Sequence, residues 1–165
     1  MKNFFIALIV IMSASTVKAD MNILFSHENE PEAWCLAQNI YYEARGSNLA
    51  DQAAVADVVL NRVKDSRYPN TICEVVKQGR KYANGQMIRN QCQFSWYCDG
   101  KSDYPLDSES WTKAQQTAYM MIYHNDYRGI TEGSTHYHAN YVKPSWAKQK
   151  QLVGRIGTHI YYRWK

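Results

Sequence analysis

The spacing of apolar residues changes part-way along this chain, and that change restricts the possible folds more than any other feature. Helical spacing of three and four residues predicts helices over residues 32–46, about 49 or 51 to 64, and 108 or 110 to 124, with a shorter helix after Thr71 through Val76. After Gly129 the period becomes two, which predicts strands over residues 135–141 and 158–164. Residues 79–91 show no period and are expected to form a long surface loop. Helices followed by a late strand pair predict one mainly helical α+β domain with a small antiparallel sheet.

The N-terminal segment has the pattern of a secretory signal. Lys2 provides a basic start, residues 4–12 are all apolar, and Val17 and Ala19 place small residues at a cleavage site. The apolar run is shorter than the ~20 residues that cross a bilayer. We therefore expect residues 1–19 to be removed and residues 20–165 to form a single exported domain, periplasmic or secreted, without stable membrane insertion. An uncleaved signal anchor is the alternative.

Charge and composition exclude some partners. The formal charge of the full chain is +4, and loss of Lys2 and Lys18 with the signal leaves +2. That balance is too weak to predict nucleic-acid binding. Thirteen Tyr and five Trp form a high aromatic load, which suits stacking on the apolar faces of sugars. A monomer without a cofactor is expected.

The four cysteines form an even set in the exported region, which predicts disulfides in an oxidising compartment. No Cys-x-x-Cys pair is present, so zinc is the weaker interpretation. A tight turn between Cys92 and Cys98 would bring their Cα atoms to the ~5.5 Å that a disulfide needs. That leaves Cys35 to pair with Cys73, although sequence alone leaves the other two connectivities open.

Glu43 is the candidate catalytic residue. It shares the inward stripe of the first helix with Leu36 and Ile40, where a carboxylate costs free energy unless it is paired or functional. Desolvation would raise its pKa and suit it to act as a general acid near neutral pH. The alternative is a structural ion pair with Arg45 or Arg62.

The histidines offer a second interpretation. His136 and His138 lie on one face of a predicted strand, and His159 lies on the other predicted strand. If all three converged they would suit a zinc amidase. No His-Glu-x-x-His motif is present, and the lining of a polar cleft is the preferred role. No metal is expected.

Aromatic and polar residues on loops and strand ends suit a carbohydrate groove, because sugars present CH faces to rings and hydroxyls to amides. The candidate substrate-binding residues are Tyr41, Arg45, Gln93, Phe94, Ser95, Trp96, Tyr137, His138, Asn140 and Trp146.

Several strings resemble the cell wall hydrolase family of the SleB type, named for spore-cortex-lytic enzymes. They are residues 36–46 (LAQNIYYEARG), 53–63 (AAVADVVLNRV), 68–72 (YPNTI), 93–96 (QFSW), 135–139 (THYHA) and 157–162 (GTHIYY). The likeness extends over about residues 34–163.

The resemblance implies a lysozyme-like catalytic domain that cleaves the β-1,4 bond between N-acetylmuramic acid and N-acetylglucosamine in peptidoglycan, whether in a bacterial enzyme or a phage endolysin. It places Glu43 as the acid and base of a lytic transglycosylase. Ser47 stands where the family motif often has a second Glu. The alternatives are a muramidase-type hydrolase, a non-catalytic glycan-binding module and a zinc amidase.

Overall fold

The computed structural model describes residues 26–165, so the predicted signal over residues 1–19 lies outside the described residues. The helices are α1 (Pro31–Ala44), α2 (Leu49–Lys64), α3 (Ile72–Val76) and α4 (Ser108–Tyr119), which continues as a π-helical turn over Met120–His124. The strands are β1 (Gly79–Lys81), β2 (Met87–Cys92), β3 (His136–Ala139), β4 (Gln151–Ile156) and β5 (His159–Arg163). Short 3-10 helices cover Ser95–Cys98 and Ser145–Gln149.

Each helix begins at a residue that suits a helix start. Pro31 opens α1 in the first helical turn, where its missing N–H costs nothing. Asn48 caps α2 by accepting from the backbone N–H of Asp51 at 2.9 Å, and Asp107 caps α4 in the same way through Ser110. Helices α3 and α4 pack against α1 and α2, and the facing side chains of all four form the main core.

The larger sheet is antiparallel with strand order β3-β5-β4. Its inner face packs on α2, where Tyr161 contacts a cluster that includes Ala54 and Val58. Tyr137 pairs with Tyr161, and Ala139 pairs with His159, across β3 and β5. The sheet therefore presents Tyr137 and His159 on the same side as Tyr161, towards the helices.

The α+β class with a small late antiparallel sheet is confirmed, but two predictions about strands were wrong. Residues 79–91, expected to be a loop, contain the hairpin of β1 and β2; its residues are largely exposed, so no apolar alternation marked them. The late strand pair is a three-stranded sheet, and its third strand, β4, was missed because half of its residues are exposed and none is fully buried.

Both predicted disulfides are present. Cys35–Cys73 joins α1 to α3 with a Cα–Cα distance of 5.2 Å, and Cys92–Cys98 joins β2 to the following 3-10 turn at 6.1 Å. The described part of the chain contains no free cysteine. Within residues 26–165, no helix combines the length and the apolar composition that crossing a bilayer requires.

Candidate active site

Glu43 lies in the last turn of α1, where the helix end meets the edge strand of the sheet. Gly46, with a φ of +81°, lets the chain turn away directly after the helix. The Glu43 side chain is half-buried, and its Oε2 accepts a hydrogen bond of 3.0 Å from the Tyr137 hydroxyl of β3. A carboxyl on a helix is thereby fixed by a phenol on the sheet.

Burial raises the pKa of Glu43 above its usual range. The hydrogen bond from Tyr137 and the positive charges of His159 and Arg62 act in the opposite direction, but desolvation is the largest contribution. A carboxyl in this environment holds its proton to higher pH than an exposed glutamate does, as a general acid requires.

No ion pair neutralises Glu43 among the described residues. Arg45 is exposed and donates instead to the Tyr41 hydroxyl at 3.0 Å. Arg62 is buried, donates to the Thr135 carbonyl at 2.8 Å, and places its guanidinium over an aromatic ring of Phe94 at 5.2 Å. The structural ion pair weighed from the sequence is absent, and Arg62 acts on Glu43 only as a nearby charge.

A buried Asp–His pair lies behind Tyr137. His159 packs its ring edge-on against the Tyr137 ring, with centroids 5.0 Å apart and an angle of 80°. The His159 Nδ1 lies 2.8 Å from the Asp51 Oδ1, and both residues are buried. The other Asp51 oxygen accepts from the backbone N–H and the hydroxyl of Thr158 at 3.2 and 2.8 Å. Sequence reasoning missed Asp51, whose one visible signal is its place in the first turn of α2.

Three of the predicted groove residues are core residues instead. Tyr41, Phe94 and Trp96 are 1%, 3% and 8% exposed. Trp96 stacks on Tyr42 with centroids 4.6 Å apart and donates its indole N–H to Asn39 at 3.2 Å. Rings with so little exposed surface cannot stack on a sugar. The prediction that these three residues contact substrate is therefore wrong, and they pack in the core instead. Gln93 and Ser95 beside them are exposed.

Three further predicted residues, His138, Asn140 and Trp146, lie away from Glu43. His138 pairs with Ile160, so its side chain points to the outer face of the sheet, opposite to Tyr137. Trp146 packs over that outer face against His138 and Tyr162 at 5.7 and 5.5 Å between centroids. Asn140 lines the same outer pocket as His138. The structure therefore brings Tyr137 alone of this strand's candidates to Glu43.

The histidines do not converge on a metal site. His136 and His138 point to the outer face, whereas His159 points inward to Asp51. Across the part of the chain that the structure describes, no group of three His, Cys, Asp or Glu side chains is arranged to hold a metal ion. The constellation that a zinc amidase would need is not assembled.

Comparisons with known proteins agree on one family. A family model of cell wall hydrolases matches residues 46–162. The spore cortex-lytic enzyme of Bacillus cereus is 40% identical over 55 residues, which are 32% of this chain and 21% of that protein. The matched part thus spans about a fifth of that relative's length.

Two solved structures are similar over most of the chain. The catalytic domain of the germination-specific lytic transglycosylase SleB from Bacillus anthracis has a TM-score of 0.61 and 26% identity, covering 82% of this chain and 96% of that one. The catalytic domain of Bacillus cereus SleB has a TM-score of 0.57 and 27% identity, covering 81% and 91%. The family-model match begins at Gly46, after Glu43, so it does not itself cover the candidate acid. It does cover most of the chain, and this chain belongs to the cell wall hydrolase family.

Proposed function

We propose that this protein is a lytic transglycosylase that cleaves the β-1,4 bond between N-acetylmuramic acid and N-acetylglucosamine in peptidoglycan. One observation carries the proposal: the half-buried Glu43 carboxyl, which forms no ion pair within residues 26–165, accepts a hydrogen bond from Tyr137 at the junction of helix and sheet. Family membership and the similarity to SleB catalytic domains support the substrate class.

Glu43 first acts as the general acid. Its raised pKa favours the protonated carboxyl, and that proton passes to the glycosidic oxygen of N-acetylglucosamine as the bond to C1 of N-acetylmuramic acid breaks. Glu43 is then a carboxylate, and the Tyr137 hydroxyl stabilises it by donating a hydrogen bond.

Glu43 next acts as the base. It removes the proton of the C6 hydroxyl of the same N-acetylmuramic acid as that oxygen bonds to C1, which closes a 1,6-anhydro ring and restores the protonated acid. Water is not consumed, and one carboxyl performs both transfers.

The surroundings of Glu43 favour this one-acid reaction over hydrolysis. Glycosidases that use water normally place a second carboxylate roughly 5–10 Å from the acid. The charged groups that shift the pKa of Glu43 are His159 and Arg62. Asp51 and Asp57 are fully buried, and each accepts several hydrogen bonds from other parts of the fold. Neither has an oxygen open to activate water.

A binding module without catalysis is the weaker candidate. Binding alone gives no reason to keep a carboxyl desolvated and unpaired, since that arrangement costs free energy. For glycan contact we propose the exposed Arg45, Gln93 and Ser95, together with Tyr137 beside the acid. The outer-face residues His138, Asn140 and Trp146 are not assigned to the reacting sugars.

Peptidoglycan lies outside the cytoplasmic membrane, so the enzyme would have to be exported. The two disulfides fit an oxidising compartment, in agreement with the signal predicted over residues 1–19.

Glu43→Gln tests the role of the acid. Glutamine keeps the size and a hydrogen-bond acceptor for Tyr137 but cannot deliver a proton, so we expect clearing of a peptidoglycan suspension to slow by at least ~10²-fold. The melting temperature should stay near that of the wild type. Glu109→Gln, which changes an exposed glutamate on α4, is the matched control and should retain full activity. A folded Glu43→Gln protein that clears peptidoglycan at the control rate would remove Glu43 from the mechanism.

A further inference from the structure

The Asp51–His159 pair lies beside the candidate site, but the proposed proton transfers at Glu43 do not use it. Both side chains are buried, at 0% and 6% exposure. Burying ionisable side chains costs free energy unless they form hydrogen bonds or ion pairs with each other or with their surroundings. Within the pair, His159 contacts the Tyr137 ring, and the Tyr137 hydroxyl donates a hydrogen bond to Glu43. A continuous line of contacts thus runs from the start of α2 to the acid.

Asp51 is held rigidly at the far end of that line. One oxygen faces the His159 Nδ1 at 2.8 Å, and the other accepts two hydrogen bonds from Thr158. Gly157 passes so close that a Cβ at this position would lie 2.5 Å from the Asp51 side chain. Only glycine fits there, and its φ of +54° is also one that other residues rarely adopt. The turn between β4 and β5 is shaped around this carboxylate.

A carboxylate facing Nδ1 fixes the orientation of an imidazole ring, because it accepts a hydrogen bond from the N–H of this nitrogen. The His159 ring, fixed in this way, presents itself edge-on to Tyr137. A ring contact from this side limits the rotation of the Tyr137 side chain, and the direction of the phenol determines where its hydrogen bond meets Glu43.

We propose that Asp51 and His159 are positioning residues for catalysis: they hold Tyr137 so that its hydroxyl orients the Glu43 carboxyl towards the glycosidic oxygen. This inference rests on the proposed function of Glu43 and deepens it. Neither residue touches the substrate, and both orient the Glu43 carboxyl through Tyr137.

His159 also acts on Glu43 through its charge. The groups around Glu43 come from three elements, namely Arg62 of α2, Tyr137 of β3 and His159 of β5. Those around His159 are Asp51 of α2, Tyr137 of β3 and Tyr161 of β5. Since positive charge at His159 lowers the pKa of Glu43, its removal raises that pKa. Glu43 then keeps its proton to higher pH, and the alkaline limb of the pH–activity profile moves to higher pH.

The test compares His159→Phe and Asp51→Asn with the wild type on purified glycan strands. Phenylalanine keeps an aromatic ring beside Tyr137 but cannot bond to Asp51, and asparagine keeps the shape of Asp51 without its charge. We expect kcat to fall roughly 10- to 100-fold, the range that small misplacements of a catalytic group cost, with little change in KM. In His159→Phe the alkaline limb should also move to higher pH.

Asp57→Asn is the matched control, because it changes another fully buried aspartate of the same helix. Asp57 binds Arg128 and Thr131, outside the line of contacts to Glu43. This variant should lose stability while its kcat, corrected for the folded fraction, stays within about twofold of the wild type. If Asp51→Asn and Asp57→Asn lowered kcat alike, the role of Asp51 would be structural only and the proposal would be overturned.

A double-mutant cycle tests the route through Tyr137. Tyr137→Phe removes the hydroxyl, so adding His159→Phe to it should lower kcat, measured at the pH optimum of each variant, little further. Independent, additive losses would contradict the proposal, as would wild-type kcat and pH profile in a folded His159→Phe protein. If His159→Phe does not fold, Asp51→Asn takes its place in the cycle. Failure of the proposed function is read separately, from an active Glu43→Gln protein.

Discussion

At the scale of single residues, His136 on the outer face of the sheet makes the stability of the fold depend on pH. Burial, followed by the positive charges of Arg62, Lys150 and Arg67, lowers the pKa of His136 from 6.5 to about 4. Between pH 6.5 and 4 the unfolded chain therefore takes up a proton at this position that the folded protein does not. The contribution of His136 to the free energy of unfolding therefore falls as the pH decreases through this window.

His136→Gln should flatten that decrease. Glutamine does not titrate, so the difference in urea midpoint between pH 7 and pH 4.5 should be smaller in the variant than in the wild type. His124→Gln, at an exposed position, serves as the control and should keep the wild-type difference. An unchanged difference in His136→Gln would show that the protonation of this residue does not couple to folding.

At the scale of elements, the two disulfides close loops of very different length. Cys35–Cys73 spans a sequence separation of 38 and ties α1 to α3, whereas Cys92–Cys98 spans 6 within one turn. Loop-closure entropy predicts stabilisation of roughly 4 kcal/mol for the longer loop and roughly 2 kcal/mol for the shorter one. Paired Cys→Ala variants measured by urea unfolding should lose stability in that order. The reverse order would mean that contacts made by the short loop outweigh chain entropy.

The helices could be predicted from the sequence because each one buries a stripe, and the buried stripe leaves a period. The sequence did not predict what the polar side chains of α2 bind: Asp57 and Asn61 both contact Thr131, which is distant along the chain. The hairpin of β1 and β2 and the strand β4 could not be predicted, because exposed strands need no apolar alternation.

At the scale of the whole molecule, the site depends on which face of the sheet meets the helices. The two-residue period of the strand correctly placed His136 and His138 on one face of the sheet. It could not predict that Tyr137 and His159 would share the inner face. The register between β3 and β5 decides that question, and register is a property of the assembled sheet. The inward position of Glu43 on its helix was predictable, since a carboxyl on the apolar stripe breaks the helical pattern. The partner of Asp51 was not, because 108 residues separate Asp51 from His159.

The central claim is that Glu43 alone moves the protons and the substrate supplies the nucleophile. Digestion of peptidoglycan in water enriched in ¹⁸O, followed by mass spectrometry of the products, tests it most directly. A transglycosylase leaves 1,6-anhydro-N-acetylmuramic acid ends that contain no ¹⁸O, and Glu43→Gln should yield none of them. Reducing N-acetylmuramic acid ends labelled with ¹⁸O would show that water is the nucleophile and would contradict the one-carboxyl mechanism.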